Sequence, residues 1–329
     1  MMTHEMIQRL GGRRVLVVGD ISLDEYLFGK ATRLSREAPI PVLELLRREV
    51  ILGGAANPAR NIVALGSAAR LVGVVGADSE GEQVRAALRA AGIDDRSLVV
   101  SQTRPTTRKT RILADESPRL PQQLARLDRL ERRPLAADEQ QQVLAAISEA
   151  AEGVEVILCS DYQLGLLTTG VVSAIREICR ERGLLFTVDA QGHADYYRGA
   201  SLFRCNNVEA GAVLGTALHD EPTFRRGLAQ LRTMLDADLV MVTRGPEGLS
   251  LLGGGADYTH IPAAQVSEVY DTIGAGDTFI AVASLGLAGG LGTIEAAQLA
   301  NVAAGEVVRR VGNAVVTQAE LVAAMGGGR

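Results

Sequence analysis

Hydrophobic runs recur along this chain at short, regular intervals. Val15-Leu16-Val17-Val18 is an unbroken apolar run closed by Gly19-Asp20, the pattern of a strand buried on both faces. Arg70 to Val75 repeats it, and Ser79 to Ala91 then switches to helical spacing before Gly92 stops it. A further helix follows Gly53-Gly54-Ala55-Ala56-Asn57 and runs through Ala64 to Gly66. From Ala136 onward the two patterns alternate. Helices are predicted over 136–151, 168–182, 222–235 and 294–310, and strands over 154–159, 184–188, 201–204, 239–243 and 249–252. Such alternation with short gaps predicts an α/β fold with a doubly wound, mainly parallel sheet flanked by helices.

One part of the chain departs from that rhythm. Pro39 and Pro41 break residues 26–50 as a helix, and Pro41 to Leu46 reads as a strand. Thr106–Leu113 and Gln123–Asp128 are further polar strand candidates, joined by a turn or loop over 114–122. These pieces predict a small separate β-sheet, a lid formed by about 26–50 and 104–130, within one domain spanning 1–329. An exposed sheet edge of this kind invites pairing, so a homodimer through the lid is expected. Gly326 to Arg329 reads as a disordered tail.

Composition narrows the function classes. The formal net charge of -5 gives no electrostatic case for nucleic acid or an anionic membrane. Cys159, Cys179 and Cys205 are widely spaced in apolar or mixed runs, which suits buried thiols. His4, His193, His219 and His260 form no ligand-spaced pair, so a zinc site is not expected. Residues 1–14 contain no apolar leader core and no long apolar run occurs elsewhere, so a cytoplasmic protein is expected. Lysine occurs only at Lys30 and Lys109.

The chemistry concentrates in Asp271-Thr272-Ile273-Gly274-Ala275-Gly276-Asp277, a Gly-rich turn opening an apolar helix. N–H groups at a helix start lack intrahelical partners, and the dipole adds positive charge there. Gly274, Ala275 and Gly276 would let an anion approach those donors closely, and Asp277 could take a proton from a hydroxyl. The same string also reads as a tight turn with a dipole-balancing carboxylate. Ligands of open α/β sheets bind at strand C-terminal ends. Asp20 and Asp24, then Asp161, Asp189, Asn206 and Thr243, fall there. Asp24, Gly53, Gly54 and Asn57 could meet a polar ligand, or Asp24 be a solvated loop acid and the small residues serve helix–sheet packing. On the 294–310 helix, Asn301 with Ala304 and Val308 could face an adenine, or belong to a packed helix with one polar residue. Neither G-x-x-x-x-G-K-[ST] nor a strand-following G-x-G-x-x-G is present, which argues against P-loop and dinucleotide folds.

With Gly53-Gly54-Ala55-Ala56-Asn57 early and Asp271 to Asp277 late, the chain resembles the ribokinase/PfkB family of sugar kinases over roughly residues 13–323. Within it, Gly19 to Asp24, Arg33 to Val42, Gln122 to Asp128, Ser160-Asp161-Tyr162 and Glu268 to Asp271 resemble bacterial D-glycero-β-D-manno-heptose 7-phosphate kinases, which act on an anomeric hydroxyl. The resemblance implies a ribokinase-like fold, ATP, Mg²⁺ and a sugar as ligands, and a monovalent cation such as K⁺. It implies Asp277 as catalytic base and Gly274, Ala275 and Gly276 as anion hole. Sugar-binding positions would be Asp24, Gly53, Gly54, Asn57, Lys109, Arg111 and Asp161. Nucleotide-contacting positions would be Asn206, Thr243, Gly245, Gly248 and Asn301. Glu209 would hold Mg²⁺ through water, and the loops of Asp271 and Gly312 the monovalent cation. The chain departs from those relatives at Leu164 and Gln191, where they carry lysine, and at Cys205, where they carry proline. Two lost cations leave room for another acceptor, a different sugar or a nucleoside, or for an inactive sugar- or nucleotide-binding relative.

Overall fold

A computed structural model describes residues 3–115, 121–264 and 271–326. In chain order the elements are α1 (His4–Gln8), β1 (Arg14–Gly19), β2 (Ile21–Leu34), β3 (Pro41–Gly54), α2 (Ala56–Ala64), β4 (Ala68–Gly76), α3 (Ser79–Ala90), β5 (Leu98–Ser101), β6 (Arg108–Ala114) and β7 (Gln122–Arg129). They continue with α4 (Ala137–Ala150), β8 (Val156–Asp161), α5 (Thr169–Arg182), β9 (Leu185–Ala190), β10 (Leu202–Asn206), α6 (Asn207–Leu214), α7 (Glu221–Leu235) and β11 (Leu239–Thr243). The last are β12 (Leu249–Gly253), β13 (Ala256–Ile261), α8 (Ala275–Ala288), α9 (Thr293–Val307) and α10 (Gln318–Gly326).

Nine strands form the main sheet in the order β13-β12-β11-β10-β9-β8-β1-β4-β5. All neighbours are parallel except β11–β12 and β12–β13, which run antiparallel at one edge. Strand periodicity divides the core between the two faces. On β1, Val15 and Val17 join one apolar cluster while Leu16 and Val18 join another. On β8, Val156 and Leu158 face the first cluster and Ile157 and Cys159 the second. The first cluster takes residues of α2, α8 and α9, and the second takes residues of α4, α5 and α7. The three cysteines are buried free thiols, as expected.

The second sheet has the order β3-β2-β6-β7. It begins earlier than expected: β2 starts at Ile21 and β3 continues to Gly54, so the ribbon grows directly out of the main sheet rather than from residue 26. Two segments that bear on the expectations above lie outside the described residues: 116–120 within the expected loop, and 265–270, which includes Glu268-Val269-Tyr270. Positions 327–329 of the expected tail lie outside them too; Gly326 ends α10. Among the described residues no helix is long and apolar enough to cross a membrane.

Because the central strands are parallel, the C-terminal ends of β1, β8, β9, β10 and β11 gather at one edge, and the start of α8 lies over them. A buried asparagine fixes that placement. Asn61 on α2 donates through Nδ2 to Asn57 O at 3.1 Å. Its Oδ1 accepts from Thr278 Oγ1 on α8 at 3.1 Å and from Val316 N at 3.4 Å. Asn61→Ala would leave those buried donors unpaired, each lost partner costing about 1–3 kcal/mol. We therefore expect Asn61→Ala to lower unfolding free energy by about 2–4 kcal/mol in urea titrations; a loss below about 0.5 kcal/mol would show that α2 and α8 are held together by apolar packing alone.

Candidate active site

A cleft of about 1080 Å³ opens at this edge, lined by residues of both sheets and of α6, α8 and α9. Its floor is the start of α8. Gly274 adopts φ +79° there and no side chain caps the helix; apart from Ala275 N, which donates to Thr272 O at 3.4 Å, its first N–H groups are open to an anion. A Cβ on Gly274 would lie 2.7 Å from Asn57 Nδ2, so bare glycine is required both by the backbone and by what presses against it.

Asp277, in the first turn of α8, is 6% exposed. Tyr162 donates its hydroxyl to Asp277 Oδ1 at 2.6 Å, and Asn57 donates Nδ2 to Oδ2 at 2.9 Å. Burial pushes the carboxyl up to about 7, and the nearby Asp189 charge adds to the rise. The bonds from Tyr162 and Asn57, and the Arg204 charge, oppose it. The group is a carboxylate whose protonation changes near neutrality at the foot of an open cleft, the poise a general base needs.

Asn57 does not itself line the cleft. It is fully buried behind Asp277, and its contact is with that carboxylate. Asn313, which the sequence did not single out, extends the chain: its Nδ2 donates to Asp24 Oδ2 at 2.6 Å, and its Oδ1 lies 3.5 Å from Asn57 Nδ2. Asp24 faces Arg111 at 3.2 Å, and Lys109 stands 4.9 Å over the Tyr162 ring. The Asp24 Oδ1 and Arg111 Nη1 atoms of that pair are buried without an aligned hydrogen bond. Gly53 lies behind Asp24 rather than in the cleft, where a Cβ would fall 2.7 Å from Asp24 Oδ2. Gly54 does line the cleft, at φ +58°. Asp161 accepts from Tyr197 Oη at 2.7 Å and from Gln163 N at 2.8 Å, and burial raises its carboxyl.

On the far side, Asn206 caps α6 by accepting from Val208 N and Glu209 N, both at 2.9 Å. Glu209 Oε2 returns the contact by accepting from Asn206 N at 2.7 Å. The N-x-x-E spacing is thus a capping box as well as a cleft wall. Burial, with Asp189 nearby, raises the Glu209 carboxyl. Thr243, Gly245 and Gly248 line the same end. A Cβ on Gly248 would meet Ile261 O at 2.1 Å, which fixes that turn. Asn301 donates Nδ2 to Pro262 O at 2.8 Å, and Ala304, Gly305 and Val308 continue an apolar wall beside it. Asp271 does not face the cleft; its carboxylate accepts from Ile273 N at 3.0 Å and from Gly312 N at 2.9 Å, tying two loops together. Among the described residues no group of three or more His, Cys, Asp or Glu is arranged to hold a metal ion.

Residues 13–319 match the model of the pfkB family carbohydrate kinases. The chain is 40% identical over 325 residues to the bifunctional protein HldE of Geobacter sulfurreducens, covering 98% of this chain and 65% of that protein. It is 38% identical over 326 residues to its counterpart in Trichlorobacter lovleyi, with 98% and 65% covered. The chain therefore spans somewhat less than two thirds of these relatives' length. Escherichia coli phosphofructokinase-2, solved with potassium, superposes with a TM-score of 0.78 at 18% identity, covering 95% of this chain and 98% of that one. Arabidopsis thaliana ribokinase, solved with ribose and ATP, gives 0.74 at 17% identity, with 95% and 98% covered.

Removing a donor from Asp277 should be directly readable. Tyr162→Phe takes away the hydrogen bond that most strongly holds the carboxyl down, so Asp277 is expected to titrate above its starting value of about 7. Carboxyl carbon chemical shifts followed against pH measure this. An unchanged or lowered midpoint in Tyr162→Phe would mean that Tyr162 does not stabilise the charged form.

Proposed function

From the premise that the chain belongs to the pfkB family of carbohydrate kinases, we propose that it transfers the γ-phosphoryl group of ATP to a hydroxyl of a sugar or sugar phosphate. The observation that carries this is Asp277: a carboxylate beside uncapped helix N–H groups, held on both oxygens and raised to about 7. Asp277 accepts the proton of the acceptor hydroxyl as its oxygen attacks phosphorus in line. The N–H groups of Gly274, Ala275 and Gly276 receive the charge that builds on the transferring phosphoryl. Positioning and charge stabilisation supply most of what such a reaction needs.

Asp24, Gly54, Lys109, Arg111 and Asp161 form the acceptor side of the cleft in this reading. The cleft-lining Asp24–Arg111 ion pair is what supports a polar ligand there. Thr243, Gly245, Gly248 and Asn301 serve the nucleotide, with adenine along the Ala304–Val308 wall. Mg²⁺, when bound, would neutralise phosphate charge. Asn206 and Glu209 suit an ion carried mainly by phosphate oxygens and water, because the protein offers no carboxylate cage among the described residues. A monovalent cation such as K⁺ would use backbone groups of the loops that Asp271 ties together.

The acceptor we favour is D-glycero-D-manno-heptose 7-phosphate, at its anomeric hydroxyl. The motif segments quoted above support it, as do Lys109 and Arg111 near the acceptor end, where a sugar phosphate would need cations. A second reading, another sugar or a nucleoside, rests on the cleft-lining Gln191 in place of a lysine. The β2–β3–β6–β7 sheet acts as a lid whose closure limits water. Its exposed Leu34, Leu45, Leu46, Leu124 and Leu127 support pairing of two copies through that face. Sedimentation velocity should give the dimer mass; a monomer at micromolar concentration would remove this part.

Asp277→Asn is expected to lower turnover by about 10²–10⁴-fold while ATP binding survives. In the unsubstituted enzyme kcat/KM should fall as pH drops through about 7, because a carboxyl with a raised midpoint holds its proton below it. Near-normal turnover in Asp277→Asn would end the mechanism. A panel of heptose 7-phosphate, fructose phosphates, ribose and nucleosides separates the acceptors. No transfer to the heptose phosphate, with transfer to another member, would favour the second reading.

A further inference from the structure

Arg204 stands on β10, two residues before Asn206, and is 9% exposed. Its Nη1 donates to Asp189 Oδ1 at 2.8 Å, its Nη2 donates to Thr243 Oγ1 at 2.7 Å, and its Nε is buried without a partner. The guanidinium lies directly against the start of α8: a Cβ on Gly276 would be 2.7 Å from Nη1 and 3.2 Å from Nη2. A fixed positive charge and the bare turn of a helix therefore meet at one point of the cleft wall, with Phe279 behind them at 5.9 Å. Burying a guanidinium is costly, and one carboxylate with one hydroxyl leaves much of its five-donor fork unspent.

The surroundings make this charge matter. Asp189, Glu209 and Asp277 all line this cleft, so their carboxylates work against a phosphate there unless cations offset them. Of the two positions where related kinases carry lysine, Gln191 faces this cleft, whereas Leu164 is buried and lines a separate small cavity with Asp20 and Arg104. The chain thus lacks a lysine at one cleft position and places a buried arginine on the neighbouring strand.

We propose that Arg204 completes the anion cradle by binding a nucleoside triphosphate through its transferring phosphoryl group. The inference rests on the kinase reading given above. In the step it assists, the acceptor oxygen forms a bond to the terminal phosphorus and the bond from that phosphorus to the bridging oxygen breaks. The nucleoside diphosphate leaves with that electron pair, and the acceptor's proton goes to Asp277. Arg204 acts on the charge spread over the non-bridging oxygens, which a planar, permanently charged fork matches better than a point charge.

The competing account is that Arg204 only neutralises Asp189. Three variants separate the two: Arg204→Gln, Arg204→Lys, and Arg204→Gln combined with Asp189→Asn, which removes the carboxylate that needed neutralising. Calorimetry would compare a non-hydrolysable ATP analogue with adenosine, alongside turnover and thermal melting. In Arg204→Gln we expect analogue affinity to fall tenfold or more, adenosine affinity to stay within twofold, and kcat to drop on the order of 10²–10³-fold. Arg204→Lys should recover part of kcat, and the double variant should stay as slow as Arg204→Gln. The proposal is overturned if the double variant regains turnover, or if Arg204→Gln binds the analogue and turns over within threefold of the starting enzyme. If Arg204→Gln unfolds, Arg204→Lys alone decides it by the analogue-to-adenosine ratio, an unchanged ratio overturning the proposal. If the unsubstituted chain phosphorylates nothing in the acceptor panel, the kinase reading falls separately, and the binding comparison still tests Arg204.

Discussion

The cost of keeping one carboxylate out of water organises this site. Asp277 is buried at a helix start, and a bare buried carboxylate would simply hold its proton. Tyr162 and Asn57 each give it a hydrogen bond, and each of those is held in turn. Asn57 is gripped through its carbonyl by Asn61, and Asn313 links it to Asp24 and so to Arg111. The network runs from the second sheet across the first strands to α8. Side chains alone thus connect the Asp24–Arg111 end of the cleft to the Asp277 carboxylate.

Glycine supplies the geometry that the network presumes. A side chain on Gly53 would displace the Asp24 carboxylate, and one on Gly274 would strike the Asn57 amide. One on Gly276 would push Arg204 aside. The bare positions are thus occupied on their far side by the polar groups that the site depends on. The string therefore offers open N–H groups to the cleft and leaves room behind them for the side chains that tune it.

Most of the fold was legible from hydrophobic spacing. The buried strands β1, β4, β8, β9, β10 and β11 stand out as apolar runs, and α3, α4, α5, α7 and α9 show helical periodicity. What was missed has a physical reason. β13, Ala256–Ile261, is an edge strand with polar and partly exposed residues, so no buried face marks it. α6 is hidden because Asn206 and Glu209 suggest ligand chemistry while they also cap that helix. The second sheet's early start at Ile21 was masked by continuity, since β2 follows β1 after one residue. For the site, the Gly274–Asp277 string and the strand-end acids were readable and do converge on one cleft. Tyr162 lay in a quoted motif without a role, and Asn313 and Arg204 carried no local signal at all. Their partners are 289 and 15 residues away, distances that only the folded chain closes.

Lys109 is one of only two lysines in the chain, and its ammonium sits over the Tyr162 ring inside the cleft. Lys30 lies far along β2 and is exposed. An amine-selective reagent would thus meet two side chains in very different surroundings, one lining the cleft and one exposed. Because arginine dominates elsewhere, labelling of Lys109, compared with Lys30 and read by mass spectrometry, would test occupancy of the cleft without engineering a label into the protein.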